Sequence, residues 1–122
     1  MSSIFMNKKE LEKKLAELMD IVPECEGLIA ADSQGKVLVG QTITEMDHGK
    51  IAKACTAIIN DSNNLGNDIG KGALKTTTIE LENGFAVLVG GSDKHVLIAL
   101  AGLDGKASLG LLKRNLISIS NL

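Results

Sequence analysis

The spacing of apolar residues divides the chain into three helices and five strands. Leu11, Leu15, Leu18 and Val22 recur at helical period, with Lys8, Lys9, Lys13 and Lys14 on the wet side, and predict an amphipathic helix over residues 7–22. Asn7 fits its N-cap with Glu10 reaching back, Met6 can staple against Leu11, and Pro23 ends it. Residues 25–41, CEGLIAADSQGKVLVGQ, read as two strands around a turn at Asp32-Ser33-Gln34-Gly35. A second helix is expected from Thr44 or Asp47 to about Ile69. Its apolar positions are Ile51, Cys55, Ile58, Leu65 and Ile69, widened by Ala52, Ala54, Ala57 and Ile59. They spread over about 220° of the helical wheel, more than one core-facing stripe needs. That breadth predicts a helix packed on two partners, its own sheet and a second molecule.

Three strands follow. ALKTTTIELE (73–82) meets FAVLVGG (85–91) across Asn83-Gly84, a strong hairpin signal, and Ser92-Asp93-Lys94 leads on to HVLIALAG (95–102). Leu109, Leu112, Leu116 and Ile119 place a last helix over about 106–121. The first and fifth strands, GLIAA and HVLIALAG, are nearly continuous apolar runs and belong at the centre, covered on both faces. The third alternates Lys75, Thr77, Ile79 and Leu81 with Thr76, Thr78 and Glu80, as an edge strand does. The order 2-1-5-4-3 satisfies both demands. The expected fold is a three-layer α/β/α sandwich, a five-stranded antiparallel-type sheet with helices on both faces, and residues 1–122 read as one domain. A long third strand without proline is an aggregation hazard unless something covers it. Together with the over-wide second helix, it predicts a homodimer in which the third strands pair and the second helices pack across the join.

Composition narrows the partners. Hydrophobic residues make up 44% of the 122 and net charge is −2, so the chain is built to fold. Acidic and basic residues are mixed along it, and Phe5 and Phe85 are its only aromatics. Nucleic-acid binding, which calls for a basic stripe and stacking rings, is not expected. No apolar run approaches the length of a membrane span, Ser2 argues against N-myristoylation, and the closing ISNL is no prenylation box. Direct membrane insertion is therefore not expected. Cys25 and Cys55 lack C-x-x-C spacing and no signal peptide precedes them; reduced, mostly buried thiols in a cytoplasmic protein are the expectation.

Candidate chemistry is thin. GNDIGKG, residues 66–72, approaches a phosphate-binding loop, but its glycines are one residue too close and Gly72 stands where a hydroxyl is needed. A helix precedes it and a strand follows, the reverse of a phosphate-collecting N-terminus, so it reads as a helix stop. His48 and His95 show no metal-ligand spacing, and Asp104 sits in a turn, LDGK, rather than in a catalytic constellation. No cofactor, metal or enzyme activity is expected.

The layout as a whole resembles the roadblock (dynein light-chain type) family. The local matches are VPECEGLIAADSQGKVL, IGKGALKTTTIE and GKASLGLLKRNL, and they span about residues 8–120. The resemblance implies a dimer with one continuous ten-stranded sheet. It also implies a non-catalytic adaptor that binds a small Ras-like GTPase or a GTPase-linked complex, or serves as a light chain in a larger assembly. GNDIGKG corresponds to the family's helix-to-strand corner. Dimer contacts are assigned to one edge of the apolar stripe, Ala52, Cys55, Thr56, Ile59 and Asn63, in preference to the Ala54 and Ala57 side, and to Thr76 and Thr78. Arg114, the chain's only arginine, falls off the apolar stripe of the last helix and is a candidate GTPase contact. A purely structural subunit, or a ligand-binding sensory domain needing a pocket between sheet and helix, are the alternatives.

Overall fold

The structure, a computed structural model, describes residues 8–90 and 95–121. The capping box at Asn7, the Met6 staple and the turn at Ser92-Asp93-Lys94 lie outside the described residues. Helix α1 (Lys8–Ile21) leads into the hairpin β1 (Cys25–Asp32) and β2 (Val37–Thr42). Helix α2 (His48–Asp68) follows, then β3 (Thr76–Leu81), β4 (Gly84–Val89) and β5 (His95–Gly102). A 3₁₀ stretch, Leu103–Ser108, runs into α3 (Leu109–Ser120). The last helix therefore opens as two short 3₁₀ turns where a continuous α-helix from about 106 was expected, and it is here that LDGK makes its corner.

The sheet has the order β2-β1-β5-β4-β3 with antiparallel neighbours throughout, as the apolar runs predicted. Alternation along each strand sorts side chains to two faces. Leu28, Ala30, Val87, Val89, Leu97 and Ala99 meet the buried stripes of α1 and α3 on one side. Ile29, Ala31, Leu88, Val96 and Ile98 meet Ala52, Cys55 and Ile59 of α2 on the other. The central strands are buried on both faces, which is why they read as unbroken apolar runs.

Local chemistry sets the corners. In the first hairpin Asp32 Oδ1 accepts from the backbone N–H of Gln34 and of Lys36, both at 2.9 Å, and Gly35 takes φ of 86°. Of the two caps offered by sequence, Asp47 is the one used: its carboxylate accepts from Lys50 N–H at 3.0 Å. The second hairpin differs from expectation in register. Leu81 pairs with Gly84, so Glu82 and Asn83 form the turn and Gly84 already belongs to the strand. β3 is also shorter than read, Thr76–Leu81, because Leu74 is drawn toward α2 just before the strand. The Asn63 side chain holds it there, its Oδ1 accepting from Leu74 N–H at 2.7 Å.

Candidate interaction surface

The breadth of the α2 stripe resolves into two stripes with different fates. Ala52, Cys55, Thr56 and Ile59 point into the chain's own sheet, with exposures of 0%, 7%, 7% and 3%. They close the α2 core and offer nothing to a partner, so the assignment of dimer contacts to this edge is corrected. Asn63 is half-buried and committed to Leu74, which makes it a brace for the α2–β3 connection. The other edge, Ala54, Ala57, Ile58 and Leu65, stays in solvent, Leu65 at 59% exposure. These residues share one face at i, i+3 and i+4 spacing with Asp61 among them. The helical period located two stripes; only the position of the sheet tells which is already used.

β3 supplies the second unsatisfied surface. Gly90 N–H donates to the Lys75 carbonyl at 3.4 Å, so Lys75 and its alternate residues spend their backbone groups on β4. Thr76, Thr78 and Glu80 therefore turn their N–H and C=O outward, to the open edge. Their side chains lie on the α1/α3 side, opposite Val89, Val87 and Phe85, with Thr76 half-buried and Thr78 exposed. The opposite edge, β2, is blunted by a bulge where Ala30 pairs with Val39 and Ala31 with Val37. β3 carries no register shift across its pairing with β4. It is the flatter, more available edge.

GNDIGKG closes α2. A phosphate-binding loop must aim successive N–H groups at its ligand. Here Ile69 N–H donates to Leu65 O at 3.0 Å and Gly70 N–H to Asn67 O at 3.2 Å. Lys71 and Gly72 N–H both donate to Gly66 O, at 2.7 and 3.1 Å. Four consecutive donors are thus spent on the helix's own carbonyls. Gly70 and Gly72 adopt positive φ of 70° and 85°, and a Cβ on Gly66 would strike the Gly72 carbonyl oxygen. The loop is a helix stop, as the order of elements implied.

Other sequence candidates are dispersed. Cys25 lies in the α1/α3 core and Cys55 in the α2 core, so the sheet separates two buried, reduced thiols. Burial pushes both above the ordinary cysteine value of 9.0, and the Glu26 carboxylate adds to the rise at Cys25. His48 sits at the start of α2, its Nε2 3.0 Å from Thr42 Oγ1, while His95 is buried at the start of β5. Among the described residues no group of three or more His, Cys, Asp or Glu is placed to hold a metal ion. None of the described helices is long and apolar enough to cross a membrane. Arg114 is exposed on α3, across the sheet from α2. Ile29, Ala31, Leu88 and Ile98 fill the space between sheet and α2, so that layer is packed rather than hollow.

The fold is an α/β/α sandwich of strand order β2-β1-β5-β4-β3, with an exposed apolar stripe on α2 and an open edge at β3. The chain belongs to the Roadblock/LC7 domain family, whose profile matches residues 11–101. Solved structures with the same fold include a Roadblock/LC7 domain from Streptomyces avermitilis, 15% identical, with a TM-score of 0.78 over 89% of this chain and 90% of that one. MglB of Myxococcus xanthus is 12% identical, with a TM-score of 0.81 over 98% of this chain and 90% of its own. An MglB structure with a tetrameric arrangement also superposes at a TM-score of 0.81 and 12% identity, covering 98% and 91%. No curated protein sequence matches the chain.

Proposed function

We propose that this chain is a homodimeric, non-catalytic adaptor that binds a small Ras-like GTPase or a GTPase-linked complex in the cytoplasm. The observation that carries the reading is the juxtaposition of two unsatisfied surfaces, the outer α2 stripe and the open β3 edge, tied side by side through Asn63 and Leu74. A second copy satisfies both at once: β3 pairs with β3, and the outer stripes of the two α2 helices pack over the join. Charge along the edge favours the antiparallel arrangement. Lys75 precedes β3, while Glu80 and Glu82 stand at its far end, so antiparallel pairing sets opposite charges near one another, whereas parallel pairing aligns like with like. Membership of the Roadblock/LC7 family supports a GTPase-linked partner. The tetrameric arrangement of MglB favours, as a second reading, a structural subunit of a larger assembly.

The test is capture of small GTPases by the immobilised protein, each loaded with GDP or a GTP analogue. The proposal expects selective retention of one loaded state. Retention of neither contradicts it and favours the structural subunit. Arg114 is assigned as a contact within this reading; Arg114→Ala leaving capture unchanged removes that assignment.

A further inference from the structure

The end of the sheet at which β1 starts and β5 finishes combines exposed apolar side chains with carboxylates. A groove of about 650 Å³ opens there, lined by Leu81 and Leu100 from the α2 face, by the buried Phe85 and Ala101, and by Glu26, Glu80 and Glu82. Leu103, at 57% exposure, follows directly on β5, the strand of Leu100 and Ala101. On the other side Ile43, at 64%, is tied to the same end through its N–H, which donates to Glu26 O at 2.9 Å. Glu26 Oε2 and Asp104 Oδ1 converge above Gly102, between these two leucine and isoleucine positions. Among the described residues no lysine or arginine pairs with Glu26, Glu80, Glu82 or Asp104. Single exposed apolar residues are ordinary; several around one groove, rimmed by charge of one sign, mark a protein contact.

We propose that this end is a docking site for a basic amphipathic segment of another protein, with apolar side chains seated against Leu100 and Leu103 and flanking lysines or arginines meeting Glu26 and Asp104. Charge complementarity selects the occupant. A nucleic acid or an anionic membrane surface is repelled by this rim, and an acidic segment would add like charge to it. Opposite charge on an approaching segment steers encounter, and the apolar side chains retain what the rim attracts. The β3 side of the groove, Glu80, Leu81 and Glu82, borders the self-association edge, whereas Glu26 lies on β1, three strands from β3, about 14 Å at ~4.8 Å per strand, so pairing of β3 leaves the Glu26, Leu103 and Asp104 side accessible.

A labelled amphipathic helical peptide built only of leucine and lysine is the probe, with a leucine/glutamate peptide of the same apolar pattern as control, read by fluorescence anisotropy. The leucine/lysine peptide is expected to bind, and to bind less tightly as salt is raised. Glu26→Gln with Asp104→Asn, and separately Ile43→Ser with Leu103→Ser, each weaken binding about tenfold. Ile43, Leu103 and Asp104 are exposed and Glu26→Gln keeps the side-chain shape of a half-buried residue, so the melting temperature stays near that of the parent and loss of binding is not loss of fold. Leu65→Asp on α2 leaves peptide binding intact even where it disturbs self-association. Equal binding of the two peptides, no binding of the leucine/lysine peptide, or binding indifferent to both double variants overturns the proposal.

Discussion

Ile59 shows how much one side chain decides. It is 3% exposed, and its Cδ1 lies 3.0 Å from where a Cβ on Gly90 would sit, so α2 is seated on the end of β4 through this residue. Ile59→Asp places an unpaired charge in the α2 core and should cost more than ~4 kcal/mol, a large share of a small domain's stability. Urea unfolding is the measure: a midpoint unchanged from the parent would show that Ile59 faces outward after all. The thiols make a pH prediction. Their folded pKa values are raised by burial, so folding holds them protonated. Stability from this source is complete below the ordinary value of 9.0 and falls as pH rises through it, because the unfolded chain ionises first. Urea midpoints at neutral and alkaline pH should diverge, and Cys25→Ala with Cys55→Ala should narrow the divergence. Residue type was enough to anticipate the burial of both cysteines but not their faces: Cys25 points from β1 to the α1/α3 side, and Cys55 sits on α2, which covers the other.

At the scale of elements, hydrophobic period carried most of the information. Strands buried on both faces betray themselves as apolar runs, and β1 and β5 were legible as central for that reason. The turn at Asp32 was legible because its carboxylate has a fixed task, accepting from Gln34 and Lys36. The turn at Glu82-Asn83 was not, because Asn83-Gly84 offers a familiar dipeptide while the pairing of Leu81 with Gly84 is set by the neighbouring strand. The same limit governs α2. Its surplus of apolar positions announced two contacts, yet Ala52, Cys55, Thr56 and Ile59 looked no more external or internal than Ala54, Ala57 and Leu65 until the sheet was in place. Leu65→Asp belongs to this scale. Leu65 is 59% exposed in the single chain, so the substitution should leave the chain folded, with far-ultraviolet circular dichroism unchanged, while burying a charge in any α2–α2 contact.

For the whole molecule, everything proposed for function rests on whether the outer α2 stripe and the β3 edge close against a second copy. A single chain leaves the N–H and C=O groups of Thr76, Thr78 and Glu80 to water and an apolar stripe in solvent; a two-fold pair covers both and creates one continuous sheet as a platform for a partner. Family membership and fold were legible because they depend on element order, which the apolar pattern writes directly. The partner was not, because recognition depends on which surface residues stand together. Light scattering coupled to size exclusion, on the parent and on Leu65→Asp at micromolar concentration, tests this most directly. The account predicts twice the chain mass for the parent and a shift toward the mass of one folded chain for the variant. A parent that elutes as a single chain would contradict it.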